Sequence, residues 1–187
     1  MDTLDSRIDE PTNVSIWPVA LKWGVIGGVI SVLYGQLAQT VGISDPFGQE
    51  GAAPWTVLLV SVAMYVVMGI LAVRDVKTAL GGYISFGKAF GAVFVTALII
   101  ALVGAVWQII YSSLIYPEYY ADLDDFLVEQ YEDGGMAEDQ IEAAMSFTRM
   151  SFNPLGALIG ALVGGAFFGG IFGLIIAAVM KKDRGYA

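Results

Sequence analysis

Four long apolar stretches divide the chain and set its organisation. They cover residues 17–41, 54–73, 86–116 and 154–180. A helix needs roughly 20 apolar residues to cross a hydrocarbon core of about 30 Å, and each stretch reaches that length. None of the four contains Asp, Glu or Arg, and none shows the polar stripe of a helix on a soluble protein. The pattern predicts an all-α protein, an integral membrane four-helix bundle.

The segment between the third and fourth stretches, residues 117–152, has a different pattern. Apolar residues recur at helical spacing from Tyr119 to Tyr131 and again from Ile141 to Phe152, with Gly134-Gly135 between them. Two short amphipathic helices joined by a glycine turn give this pattern. The sequence therefore predicts an amphipathic helical hairpin outside the membrane.

The polar side of this hairpin is acidic. We define its acidic face as Asp122, Asp124, Asp125, Glu129, Glu132, Asp133, Glu138, Asp139 and Glu142. Solvation is the main interpretation of this face. Docking of a partner and binding of a cation such as calcium stay open as alternatives, although the spacing does not fit an EF-hand loop.

The basic residues predict the orientation of the bundle. Eight of the nine Lys and Arg residues flank the same side of the four stretches, and only Arg149 lies in the hairpin. The eight are Arg7, Lys22, Arg74, Lys77, Lys88, Lys181, Lys182 and Arg184. Short cytoplasmic loops are enriched in Lys and Arg. We therefore expect both termini in the cytoplasm and the hairpin on the opposite side.

Composition narrows the chemistry. The chain has no Cys and no His, which excludes thiol nucleophiles, Cys/His zinc sites and imidazole acid–base catalysis. The net charge of −9 argues against a nucleic-acid partner. A proton-coupled pump usually carries carboxylates within its spans, and the middles of these spans hold none. We therefore expect no enzymatic activity, no cofactor and no metal.

Glycines at intervals of four residues mark the first and fourth spans. They are Gly24 and Gly28, then Gly156, Gly160 and Gly164, and finally Gly165, Gly169 and Gly173. Small residues at this spacing allow helix backbones to approach closely in a membrane. Packing within one bundle is the first interpretation. Assembly with a second copy or with another membrane protein is the alternative.

A compact motif, Gly-Gly-Tyr-Ile-Ser-Phe-Gly-Lys-Ala-Phe, occupies residues 81–90 before the third span. Its cytosolic group comprises Gly81, Gly82, Tyr83, Ser85, Phe86, Gly87 and Lys88. The spacing nearly matches a phosphate-binding loop. However, Ala89 replaces the hydroxyl residue and no strand precedes it, so no nucleotide is expected. A tight turn, a helix cap at Ser85 and anchoring of Tyr83 and Lys88 at the headgroups explain it better.

This motif resembles the signature of DUF4199, a bacterial family defined by a domain of unknown function. The similarity extends to the four spans, to the acidic segment that follows Tyr116-Pro117-Glu118, and to Lys181-Lys182 near the end. The resemblance implies a protein of the bacterial inner membrane. It implies no activity and no catalytic residues.

Two functions remain from the sequence. The leading hypothesis is a non-enzymatic accessory or assembly subunit whose partners are membrane lipids, a second copy or another membrane protein. The alternative is a small transporter or channel component. A water-filled cavity that reaches Gln36, Gln39 or Gln108 would favour the transporter, and a tightly packed bundle would favour the subunit.

Overall fold

The computed structural model describes residues 14–44, 54–151 and 153–182, with the backbone alone for residues 54–57. Arg7, Arg184 and Phe152 lie outside the described residues. The helices are α1 (Trp17–Thr40), α2 (Pro54–Ala79), α3 (Phe86–Ile110), α4 (Tyr119–Asp133), α5 (Glu138–Arg149) and α6 (Pro154–Met180), with a π-helical turn at Tyr111–Ile115.

The predicted fold class is confirmed, because four of these helices are long and apolar enough to cross a membrane. The described residues contain no β-strand, only one isolated bridge between Ile84 and Lys182. α3 lies at the centre and packs on α1, α2 and α6. α1 runs parallel to α3, and α6 runs antiparallel to it.

Local sequence sets the ends of these helices. The Ser85 side chain caps α3 by accepting from the Lys88 amide, and the Asn153 side chain caps α6 by accepting from the Gly156 amide at 2.9 Å. Pro154 then occupies the first turn of α6, where a missing amide hydrogen costs nothing. α2 continues to Ala79, six residues past the predicted span, because the polar residues after Val73 extend the helix beyond the apolar stretch.

The core of the bundle lies near one end. We call this the basic end, and it contains the end of α2, the start of α3 and the end of α6. A cluster of buried residues fills it: Val73, Val76, Ile84, Ala89, Ala92, Val93, Ile176 and Ala177. Every described residue of α2 that is buried lies between Met68 and Val76. The half of α2 that is farther from the basic end therefore packs more loosely.

The opposite end, the hairpin end, contains α4 and α5, which pack on each other. Gly135 makes the turn with a positive φ of 77°, a conformation that glycine adopts without strain. Ile141 and Met145 of α5 are buried. Arg149 donates two hydrogen bonds of 2.6 Å to the Asp124 carboxylate. These contacts close the hairpin.

Candidate functional site: a cavity within the bundle

A cavity of about 400 Å³ lies among the four spanning helices. It is open rather than enclosed. At about 1.5 Å per residue, the lining residues Ile100 and Gln108 lie roughly 21 and 33 Å from Phe86 along α3. The cavity therefore occupies the half of the membrane region next to the hairpin end. Its lining comprises Ser31, Ser61, Tyr65, Ile100, Ala101, Gly104, Ala105, Gln108, Ala157, Ala161, Gly164, Gly165 and Phe168.

Small residues and the loose packing of α2 create this space. A Cβ atom added at Gly104 or Gly164 would have no heavy atom within 4 Å. At the neighbouring Gly165 the same atom would lie 2.7 Å from the Ala101 Cβ. The α3–α6 contact is therefore tight on one side of α6, while the adjacent side borders the cavity.

Four polar side chains line the cavity, one or two from each of three helices. Ser31 belongs to α1, Ser61 and Tyr65 to α2, and Gln108 to α3. The Tyr65 ring stacks on Phe168 of α6 with 5.6 Å between ring centroids. No Asp, Glu, Lys or Arg is among the lining residues. The arrangement suits an uncharged molecule, because a buried charge without a partner is costly.

One of the four polar side chains that line the cavity, Gln108, has an unmet hydrogen bond. Its side-chain Nε2 is buried and has no acceptor among the described residues. A buried donor without a partner costs about 1–3 kcal/mol. Of the three glutamines considered from the sequence, Gln108 lines this cavity, while Gln36 and Gln39 do not.

The glycine series divides into three groups in the structure. Gly24 and Gly28 lie against Ile99 and Val103 of α3, and Gly165, Gly169 and Gly173 lie against Ala101, Ala97 and Phe90 of the same helix. At three positions the glycine does not lie against another helix of this bundle, so the alternative of assembly stays a prediction there. Gly156 meets the Ser151 backbone just before its own helix, while Gly160 and Gly164 meet nothing within 4 Å. Gly156 and Gly160 lie in the first two turns of α6, and Gly164 lines the cavity.

The 81–90 motif joins the α2–α3 turn to the end of α6. Ile84 and Lys182 exchange two backbone hydrogen bonds of 3.1 and 3.0 Å. The Lys77 Nζ donates to the Met180 carbonyl at 2.8 Å. Gly81 and Gly82 make the turn with positive φ values of 73° and 91°, which residues other than glycine rarely adopt.

The remaining motif residues lie around this junction. The Lys182 Nζ lies 5.2 Å from the centre of the Tyr83 ring. Phe86 is partly exposed and stacks on Phe90, and Gly87 makes no close contact at its Cβ position. Ser85 and Lys88 form the helix cap described above. The motif therefore connects the α2–α3 turn to the end of α6 at the basic end.

Two carboxylates of the acidic face have specific partners. Tyr116 donates a hydrogen bond to Asp122, and this bond, followed by burial, raises the pKa of Tyr116 to about 12. The Arg149 guanidinium bonded to Asp124 holds the pKa of that carboxyl below its ordinary value. The other seven members of the face are exposed. Within residues 14–44, 54–151 and 153–182, no three acidic residues converge on a possible metal site.

Comparison with known proteins gives one match. A family model described as "Protein of unknown function (DUF4199)" matches residues 22–182. No curated protein and no solved structure matches the chain. The matched residues include the motif, the cavity lining and the hairpin. The chain therefore belongs to the DUF4199 family.

Proposed function

We propose that this membrane protein binds a small, uncharged and largely apolar molecule in the cavity, as a non-enzymatic transporter or carrier component. The observation that carries the proposal is the cavity that reaches Gln108 among the four spans. Its volume falls within the range of about 300–1,000 Å³ that is typical of small-molecule sites. The resemblance to a bacterial family supports placement in the inner membrane, and the excess of Lys and Arg at the basic end supports its placement in the cytoplasm.

The lining defines the class of ligand. Alanine, glycine, isoleucine and phenylalanine supply most of the wall, and two serines, a tyrosine and a glutamine supply the hydrogen-bonding groups. A few placed polar groups in an apolar wall orient a ligand. A molecule with an acceptor oxygen and an apolar body fits this pattern. An ion would find no carboxylate or ammonium in the lining.

A second candidate function is the accessory or assembly subunit. Gly160 and Gly170 of α6 would meet nothing within 4 Å at their Cβ positions. Open glycine positions in a membrane helix allow the helix of another protein to approach closely. In that role the partner would be another membrane protein or a second copy. The tight basic end is compatible with both functions, whereas the cavity supports the first.

Filling the cavity tests the binding proposal. Gly164→Leu places a side chain in the cavity without a clash at its Cβ, and Gly170→Leu adds the same side chain where nothing is within 4 Å and away from the lining. We expect native mass spectrometry to detect a small molecule that copurifies with the wild-type protein and with Gly170→Leu. Gly164→Leu is expected to lose at least about 90% of it, because the two occupy the same space.

Three outcomes decide the matter. Retention of the molecule by Gly164→Leu would contradict the proposed site. Loss from both variants would also contradict it, since Gly170 lies outside the lining. A wild-type protein that carries another membrane protein instead of a small molecule would favour the assembly subunit.

A further inference from the structure

The basic end carries a large excess of positive charge. Among the described residues it contains Lys22, Arg74, Lys77, Lys88, Lys181 and Lys182, with Asp75 as the single carboxylate. Half of these cations have partners inside the protein. The Lys22 Nζ lies 3.0 Å from the Asp75 Oδ2, Lys77 donates to the Met180 carbonyl, and Lys182 lies over the Tyr83 ring.

The other three cations are Arg74, Lys88 and Lys181, whose side chains make no hydrogen bond or salt bridge within the part of the chain that the structure describes, although Arg74 also attracts the neighbouring Asp75 carboxylate. They lie close to the same junction. Arg74 is one helical turn from Lys77, and Lys181 follows Met180, to which Lys77 bonds. Lys88 is in the first turn of α3, which begins two residues after the bridge at Ile84.

Position in the membrane identifies the anion. Tyr83 of the same junction is 37% exposed, and Tyr residues at the ends of spans are enriched at the membrane–water interface. We therefore expect the three cations at this end of the spans to lie near the phospholipid phosphates. Cations near an anionic membrane surface are attracted to it, and they stabilise binding additively to a first approximation.

We infer that Arg74, Lys88 and Lys181 form a binding surface for anionic phospholipid headgroups at the basic end. Lys22 is paired with the Asp75 carboxylate and contributes less, whereas Lys77 and Lys182 keep their charge but are held by a carbonyl and a ring within the protein. This inference does not depend on the cavity. It assigns the residues that distinguish an anionic lipid from a zwitterionic one.

The test is a lipid titration of the purified protein in mild detergent, read by native mass spectrometry and by thermal unfolding. Phosphatidylglycerol is expected to bind more tightly than phosphatidylcholine with the same acyl chains, and high salt should weaken that preference. Each neutralised cation should weaken phosphatidylglycerol binding roughly fivefold, so R74Q/K88Q/K181Q should weaken it about 100-fold. The matched variant Lys22→Gln should change it by no more than about twofold.

Each other result would overturn the inference. Equal binding of the two phospholipids would show that charge is not recognised. Unchanged phosphatidylglycerol binding by the triple variant would show that these cations are not the surface, and unfolding without lipid checks that this variant is folded. If millimolar inorganic phosphate stabilises the protein as much as phosphatidylglycerol does, the residues form a site for a soluble anion instead.

Discussion

Gly169→Leu is expected to destabilise the bundle by about 3 kcal/mol, whereas Gly170→Leu is expected to change its stability by less than about 1 kcal/mol. The two glycines are neighbours on α6. A Cβ at Gly169 would lie 2.8 Å from the Ala97 Cβ and 3.4 Å from the Phe94 carbonyl oxygen. A Cβ at Gly170 would meet nothing within 4 Å. Overpacking a tight contact typically costs about 1–3 kcal/mol, and a leucine extends the clash beyond Cβ.

The measurement is thermal or denaturant unfolding of both variants in the same detergent, with size-exclusion chromatography to follow compactness. The adjacent pair controls for helix propensity and for added apolar volume, because both variants replace Gly with Leu in the same helical turn. Equal stability of the two variants would contradict the α3–α6 interface described here.

Ile84→Ala is expected to cost about 2 kcal/mol, because Ile84 links the 81–90 motif to the core. Its side chain is 2% exposed and packs among Val73, Val76 and Ala177. Truncating a buried isoleucine leaves a cavity and removes packing contacts, at about 2–5 kcal/mol in water-soluble proteins. The lower end applies where the reference state is also in the membrane, since water exclusion then contributes less.

Phe86→Ala is the matched control within the same motif. Phe86 is 39% exposed, and its truncation is expected to cost less than about 1 kcal/mol. Unfolding in detergent measures both variants. If Phe86→Ala destabilised the protein more than Ile84→Ala, the motif would stabilise the protein through its exposed ring and not by connecting the α2–α3 turn to α6.

The spans could be predicted from the sequence because length and apolarity depend on one segment at a time. α6 has the predicted bounds of Pro154 and Met180, and α1 differs by one residue at its end. Local signals also placed the Ser85 cap and the turn at Gly134-Gly135. α2 continues to Ala79, six residues past the predicted span of 54–73, because charged residues mark the boundary of the apolar stretch and not the end of a helix.

The cavity could not be predicted in the same way, because it depends on how four helices are aligned. Spacing by four residues treats Gly164 and Gly165 alike, yet a Cβ at Gly165 would lie 2.7 Å from the Ala101 Cβ, while a Cβ at Gly164 would meet nothing within 4 Å. One step along a helix turns a residue by about 100°. Which glycine meets a neighbour therefore depends on the rotation of α6 about its own axis. Gly104 is not one of the glycines spaced by four residues, so the sequence pattern did not mark it as a residue of the cavity.

The two ends of the bundle differ in a way that matters for function. At the basic end the motif, the Lys77–Met180 bond and the buried cluster fix α2, α3 and α6 together. Toward the hairpin end α2 has no buried residue among those described, and the cavity lies beside it. A protein that admits a ligand needs such a less tightly packed region, because locally weak packing is where proteins open.

Cysteine accessibility tests the existence of this cavity most directly. The chain has no cysteine, so a single substitution reports one position. A thiol reacts as its thiolate, which forms only where water reaches it. Gly104 lines the cavity with open space at its Cβ position, while Ala97, two turns away on α3, is 2% exposed.

We predict that Gly104→Cys reacts with a small methanethiosulfonate reagent in membranes at least about tenfold faster than Ala97→Cys does. Adding Gly164→Leu should suppress the reaction at position 104, because leucine fills the same space. Equal, slow labelling at both positions would contradict the cavity on which the proposed function rests.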